Sequence, residues 1–167
     1  ETILFDGASL DRKFNAHLAD KARLTALETV ILGREAMQET LESLAFRDDW
    51  RVRHNQKLVH ADTIRLTSES LQEMNKKAHL CDHLVFGTFI DVEPSRPTMD
   101  QRDKLAFLER ISKASASNDT VNVGASIFDQ KTVVRFTARS SYHLRQTLPD
   151  LLNQIVPDSK LPTVWRL

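Results

Sequence analysis

The stretch "ALETVILGREAM", residues 26–37, decides the fold class and poses the functional question. From Ala26 to Leu32 every residue except Glu28 is apolar or the strand-favouring Thr29. A period of two places Leu24, Ala26, Glu28 and Val30 on one face, and Arg23, Thr25, Leu27, Thr29 and Ile31 on the other. The segment therefore reads as a core strand that carries a carboxylate. Burying an ionised carboxylate without a partner costs several kcal/mol, so Glu28 must find a cation, a set of hydrogen bonds, or water. Three readings follow from the residues. Glu28 sits on a half-exposed face or pairs with a structural arginine such as Arg34. It is a catalytic acid or base, with Asp48, Asp49 or Asp62 as second carboxylate. Or it lines an internal polar passage or ligand site.

The surrounding sequence repeats the strand signal. "ETILFDGA" (1–8) reads as a strand running into a turn at Asp6-Gly7. "ARLTALETVIL" (22–32), "WRVRH" (50–54), "KLVHADTIRL" (57–66) and "HLVFGTFIDV" (83–92) are further strand candidates. Asn55-Gln56 occupies the place of a two-residue hairpin turn. The run "LVFGTFIDV" is apolar on both faces, which predicts a strand covered on both sides, with Gly87 allowing a bend or a close backbone approach. Further on, Thr98 and Gln101 have capping-box spacing, and Leu105, Leu108 and Ile111 follow at helical intervals, predicting a helix over about 99–114. "VNVGASIF" and "TVVRFT" read as a hairpin joined by Asp129-Gln130-Lys131. Ser141 is placed to cap a last helix with Leu144, Leu148, Leu151, Leu152 and Ile155 as its apolar stripe, and Pro149 should kink or split it. The expected fold is mostly β with two or three helices, an α+β domain covering 1–167.

Composition narrows the function. At 167 residues the chain is long enough for one domain burying roughly 70% of its unfolded surface. Lys+Arg and Asp+Glu balance at 23 each, which removes any large sequence-independent attraction to nucleic acid or an anionic membrane. Cys81 is the single cysteine, so no internal disulfide forms, and no apolar run reaches membrane-spanning length. A cytoplasmic protein with protein or small-ligand partners is the simplest expectation. The opening directly on "ETILFDGA", without a starting methionine, suggests that an N-terminal part is missing.

One other cluster invites a metal. "HLCDH" places His79, Cys81 and His83 at alternate positions, where an extended segment would point a sulfur and two ring nitrogens one way. The spacing is not a standard zinc pattern, and a lone cysteine is more often a small buried hydrophobe. Gly-rich phosphate loops, a G-x-S-x-G elbow, a C-x-x-C pair and an H-E-x-x-H helix are all absent from the sequence.

Two motifs and their spacing carry a resemblance. "ETILFDGA" (1–8), then "LETVILGREAMQE" (27–39), then "FRDDWRVRHNQKLVHADTIRL" (46–66) resemble the UreD (UreH) family of urease accessory proteins. Glu1, Thr2, Ile3, Phe5, Gly7 and Ala8 match the family's first motif; Leu27, Glu28, Gly33, Arg34, Ala36, Met37 and Glu39 match its second. Gln38 stands where the family usually has glycine, and family members carry a further N-terminal stretch. The resemblance implies the C-terminal portion of a helically wound β scaffold with no catalytic residues of its own. It further implies partners in UreF, the GTPase UreG and the urease apoprotein, a hetero-oligomeric complex, and nickel in transit instead of a tightly bound cofactor. Glu28, Gly33, Arg34 and Glu39 become the expected passage or functional motif. Competing with this are a β-rich hydrolase or lyase using paired carboxylates, and a β-sheet interaction module presenting the Leu144 to Ile155 stripe.

Overall fold

The computed structural model describes residues 1–34, 37, 39–74, 76, 80–116 and 120–156. Two sheets face each other. The first contains β1 (Thr2–Leu4), β3 (Leu24–Leu32), β6 (Val85–Val92), β8 (Lys131–Ala138) and β7 (Val121–Phe128), in the spatial order β1-β3-β6-β8-β7; the second is β2 (Ala8–Leu18), β4 (Leu44–His54) and β5 (Lys57–Thr67). The mostly β, α+β class expected from the sequence is the one that forms.

The chain winds between the sheets. β1 turns at Asp6-Gly7 into β2, and the Asp6 carboxylate accepts the amides of Glu42 and Ser43, both at 2.8 Å, tying this turn to the start of β4. β3 then returns parallel to β1, with Thr2 opposite Val30, and β4 parallel to β2, with Ala8 opposite Leu44. The remaining pairs are antiparallel. Asn55 and Gln56 close the β4–β5 hairpin with φ of +47° and +66°, the signature of a type I′ turn whose twist suits its strands. Asp129 and Gln130 do the same for β7–β8, so Lys131 belongs to β8 and not to the turn.

β6 is buried along its whole length, as its two-sided apolar pattern predicts. Sheet two covers one face. The other face packs against α2 (Gln101–Ala116) and α3 (Ser141–Ile155), where Ile111, Leu144, Leu148 and Leu152 meet Phe89, Val134 and Phe136. Gly87 sits where a side chain would have no room: a Cβ there would lie 2.3 Å from Phe136 Cζ and 2.5 Å from the Glu28 carbonyl oxygen.

Several expectations need correction. α2 begins at Gln101 with Asp100 as its cap, its Oδ1 accepting the Asp103 amide at 2.8 Å, while Thr98 Oγ1 accepts from Gln130. A carboxylate one residue before the helix outcompetes a more distant hydroxyl. Ser140, not Ser141, caps α3. That helix runs through Pro149 to Ile155 as one element, held by buried leucines on both sides of the proline. Because Leu144, Leu148, Leu151, Leu152 and Ile155 are all buried, the stripe is core and offers no interaction surface. Two elements were not expected: β2, and the short α1 (Ser68–Glu73), capped by Thr67 in a capping box with Ser70.

Candidate functional site: a polar layer between the sheets

The inward side chains of each strand alternate with outward ones, and between the sheets they form two separate apolar clusters. One contains Leu4, Val30, Leu32, Phe46 and Phe86; the other contains Trp50, Val52, Ile90 and Val92. What separates them is a layer of polar residues, contributed at the same level by six strands. β3 carries Ala26, Glu28, Val30; β4 carries Phe46, Asp48, Trp50; β6 carries Phe86, Thr88, Ile90. β2 supplies Arg12 between Leu10 and Phe14, β5 supplies Asp62, and β8 supplies Arg135. β2, β3, β4 and β6 thus each interrupt their inward apolar face once, at matching registers: Arg12 stands opposite Asp48, and Glu28 opposite Thr88, itself opposite Arg135. On β5, Asp62 stands opposite Trp50 and shares its face with His60.

Glu28 therefore does not pair with Arg34. Its Oε1 accepts from Thr2 Oγ1 at 2.8 Å and from Arg12 Nη1 at 2.9 Å, while Oε2 has no hydrogen-bond partner among the described residues. Arg12 also forks onto Asp48, Nε to Oδ1 at 3.1 Å and Nη2 to Oδ2 at 2.6 Å, and Trp50 Nε1 donates to the same Oδ2 at 2.9 Å. These bonds, Asp48's above all, hold the Arg12 guanidinium more firmly charged than usual, against the burial that opposes them. Asp62 is clamped by Arg135, whose Nη2 lies 2.7 Å from both carboxylate oxygens and whose Nη1 reaches Thr88 Oγ1 at 3.2 Å. The side chains grade from open to sealed: Arg135 is 53% exposed, Arg12 28%, Glu28 20%, Asp62 14% and Asp48 2%.

Glu28, Asp48, Asp62 and Thr88 line a cavity of about 10 Å³ within this layer, walled by Trp50, Ile64 and Phe86. That is room for a single water. Three carboxylates against two arginines leave the layer with a formal charge of −1. The geometry speaks against paired-carboxylate catalysis on a glycan: both arginines occupy the acids, and a sugar ring needs a cleft far larger than one water. Asp49 points to the opposite face of its sheet, toward Arg47, Arg51 and Thr63, whose hydrogen bond, first of all, holds its carboxyl below the usual range.

The other motif residues lie elsewhere. Gly33 ends β3 with φ +78°, and its amide donates to the Leu4 carbonyl at 2.7 Å. Arg34 turns back on Glu39, Nη2 to Oε1 at 2.6 Å and its amide to Oε2 at 2.9 Å, an exposed pair that closes the loop after β3. The structure thus groups Glu28 with Arg12 and Asp48, and Gly33 with Arg34 and Glu39. In "HLCDH", His79 lies outside the described residues. Cys81 is exposed at φ +48°, followed by Asp82 at +63°, so the segment is a turn and not the extended strand that would align its side chains. His83 is buried with Nδ1 2.6 Å from Thr137 Oγ1, and among the described residues no three His, Cys, Asp or Glu side chains are placed to hold a metal ion together.

The sequence profile described as "UreD urease accessory protein" matches residues 1–166. The chain belongs to the UreD family of urease accessory proteins. Relatives include the urease accessory protein UreD of Agrobacterium fabrum, 35% identical over 167 residues, and that of Rhizobium leguminosarum bv. viciae, 33% identical over the same length. The UreD of Chelativorans sp. is 35% identical. Each alignment covers all of this chain but only 55%, 57% and 56% of the respective relative. The chain thus spans about half the length of the curated relatives it matches. In this UreD-family chain, the residue that sequence reasoning missed is Arg12. Its signal was present: "ASLDRKFNAHL" alternates as Ala8, Leu10, Arg12, Phe14, Ala16, Leu18, interrupted once by a charge as the Glu28 strand is.

Proposed function

We propose that this chain is part of a non-enzymatic scaffold for urease maturation, and that its inter-sheet polar layer serves as a passage for nickel. In this reading the protein works in the cytoplasm, in a hetero-oligomeric complex with UreF, the GTPase UreG and the urease apoprotein. Nickel is cargo that crosses the layer and is held only in passing. The observation that carries the reading is the layer itself: carboxylates from three strands line one water-sized cavity between two apolar clusters and, with Arg12 and Arg135, leave a net negative charge around it. Carboxylate oxygens suit a hard divalent cation, and competing arginines keep the hold weak enough for release. Family membership supports the maturation role. The balanced charge of the chain favours protein partners over nucleic acid, and among the described residues no helix is long and apolar enough to cross a membrane.

The test is urease activity, with apo-urease abundance alongside, in cells carrying Glu28→Ala in the full-length protein at limiting and ample nickel. Reduced activation at limiting nickel, with the complex with UreF still recovered, supports the passage. Full activation at limiting nickel refutes it. Loss of the complex together with insolubility assigns Glu28 to structure instead.

A further inference from the structure

Sheet two turns one face to the core and the other to water. Across the outer face, Asp11, Arg47 and Arg65 stand in one row of β2, β4 and β5, and Lys13, Asp49 and Thr63 in the next; Arg51 and Arg53 follow on β4. The helices lie elsewhere, α2 and α3 on the far side of sheet one and α1 against the cluster around Leu4 and Phe46. Lys13, Arg47, Arg51, Arg53 and Arg65 against Asp11 and Asp49 give the outer face a formal charge of +3, although the chain as a whole is neutral. Asp49 organises this face. It is only 7% exposed, lying 2.5 Å from Arg47 and 3.8 Å from Arg51 and accepting from Thr63 Oγ1 at 2.6 Å. Arg51 is fixed further by donating to the carbonyls of Trp50 and Asp62, at 2.7 and 2.8 Å. Arg65 is exposed and has no hydrogen bond or ion pair among the described residues. It stands directly opposite Arg47, about 5 Å away at Cβ, where like charges repel. Beside this pair the face is hollowed into an open groove of about 580 Å³, reaching from Asp11 to Thr67.

We propose that the outer face of sheet two, centred on Arg47 and Arg65, is a docking surface for an acidic protein segment whose Asp or Glu side chains settle between the two guanidiniums. The inference needs no metal and holds whether or not the polar layer passes nickel. A carboxylate between Arg47 and Arg65 replaces their repulsion with two attractions, and the planar guanidinium fork matches a carboxylate two bonds at a time. Asp49 has already set Arg47 and Arg51 in place, so these side chains have less freedom to lose when a partner binds. The same face suits nucleic acid poorly. Asp11 and Asp49 interrupt the cations, so a continuous row of phosphates would meet carboxylates as well. No outward position of β2, β4 or β5 is Phe, Tyr or Trp, which leaves bases without an aromatic ring to stack on.

The experiment measures binding of a fluorescein-labelled peptide of about ten residues, alternating Glu and Ser, to the full-length protein by fluorescence anisotropy; an extended peptide then presents its carboxylates at the spacing of the outward side chains. The parent should bind it, and more weakly as sodium chloride rises from about 0.05 to about 0.15 M. Arg47→Gln/Arg65→Gln should bind it about tenfold or more weakly. Arg102→Gln/Lys113→Gln removes the same charge from the exposed side of α2 and should bind as the parent does. If Arg47→Gln/Arg65→Gln fails to fold, Arg53→Gln/Arg65→Gln takes its place with the same direction of effect, since neither of these arginines has a bond to lose among the described residues. Absence of binding by the parent overturns the proposal. So does a loss in the Arg65 double variant no larger than that in Arg102→Gln/Lys113→Gln. A labelled single-stranded oligonucleotide of equal charge, bound more tightly than the peptide and released by the same Arg65 double variant, would assign the face to nucleic acid and overturn the proposal equally.

Discussion

Asp48→Ala and Glu28→Ala remove carboxylates from the same layer, yet the structure predicts very different costs. Asp48 is sealed and accepts three bonds, two from the Arg12 fork and one from Trp50 Nε1. Removing one partner of a buried ion pair costs about 3–5 kcal/mol. Arg12 is 28% exposed and regains water on one side, which puts the expected loss near the lower end, about 3 kcal/mol. Glu28 is 20% exposed and accepts only from Thr2 and Arg12, both of which keep other partners or water. Its loss should cost about 1 kcal/mol. Urea unfolding of the full-length protein, in metal-free buffer, reads the difference. With a slope of about 3 kcal/mol/M, the midpoint falls about 1 M for Asp48→Ala and about 0.3 M for Glu28→Ala. Equal shifts, or a shift for Asp48→Ala below about 0.3 M, would refute the view that Asp48 anchors the layer while Glu28 faces its mouth. The outcome bears on function as well, because an activation defect in Glu28→Ala is interpretable only if that variant stays folded.

Gly87→Ala should destabilise the protein by about 3 kcal/mol, since the new methyl would press on the Phe136 ring and on the Glu28 carbonyl in the middle of two paired strands. A change in thermal midpoint of under about 2 °C would contradict the close approach of β3, β6 and β8. His60 predicts a pH dependence. It is 6% exposed, and burial first, then the charge of Lys131, lowers its pKa below the ordinary imidazole value. The unfolded chain therefore binds the proton more readily, and the stability contributed by neutral His60 is fully present above about pH 6.5 and lost as pH falls from there toward the folded-state value. Denaturation midpoints at pH 7, 6 and 5 should fall less steeply for His60→Leu than for the parent, by at most about 1.4 kcal/mol per pH unit; identical slopes would refute it. His83 is shifted in the same direction, chiefly by burial, so the variant's curve should not become flat.

Much of the architecture was legible because strand periodicity is local. Glu28 could be assigned to a face with Leu24, Ala26 and Val30, β6 could be read as covered on both sides, and the Asn55-Gln56 turn stood where a two-residue hairpin turn belongs, while the β7–β8 turn proved one residue shorter than the expected Asp129-Gln130-Lys131. The strand that completes the site was readable by the same rule and was missed, because Arg12 breaks the apolar face of "ASLDRKFNAHL" in the middle of the charged run Asp11-Arg12-Lys13. Helix caps shifted by one or two residues, since several hydroxyls and carboxylates near a helix start compete for the same few amides.

By itself, then, the sequence determined that the chain is built mainly of strands, that a carboxylate stands in a core strand, and which family motifs surround it. The partner of that carboxylate was decided by tertiary structure alone. Arg34 is near in sequence but lies past the end of the strand and turns to Glu39, while Arg12 is brought across by two parallel pairings that stack β3 on β1 and β4 on β2. Which charges share a buried layer depends on the register of strands far apart in the chain, and register is fixed by the packing of the apolar residues on either side of that layer.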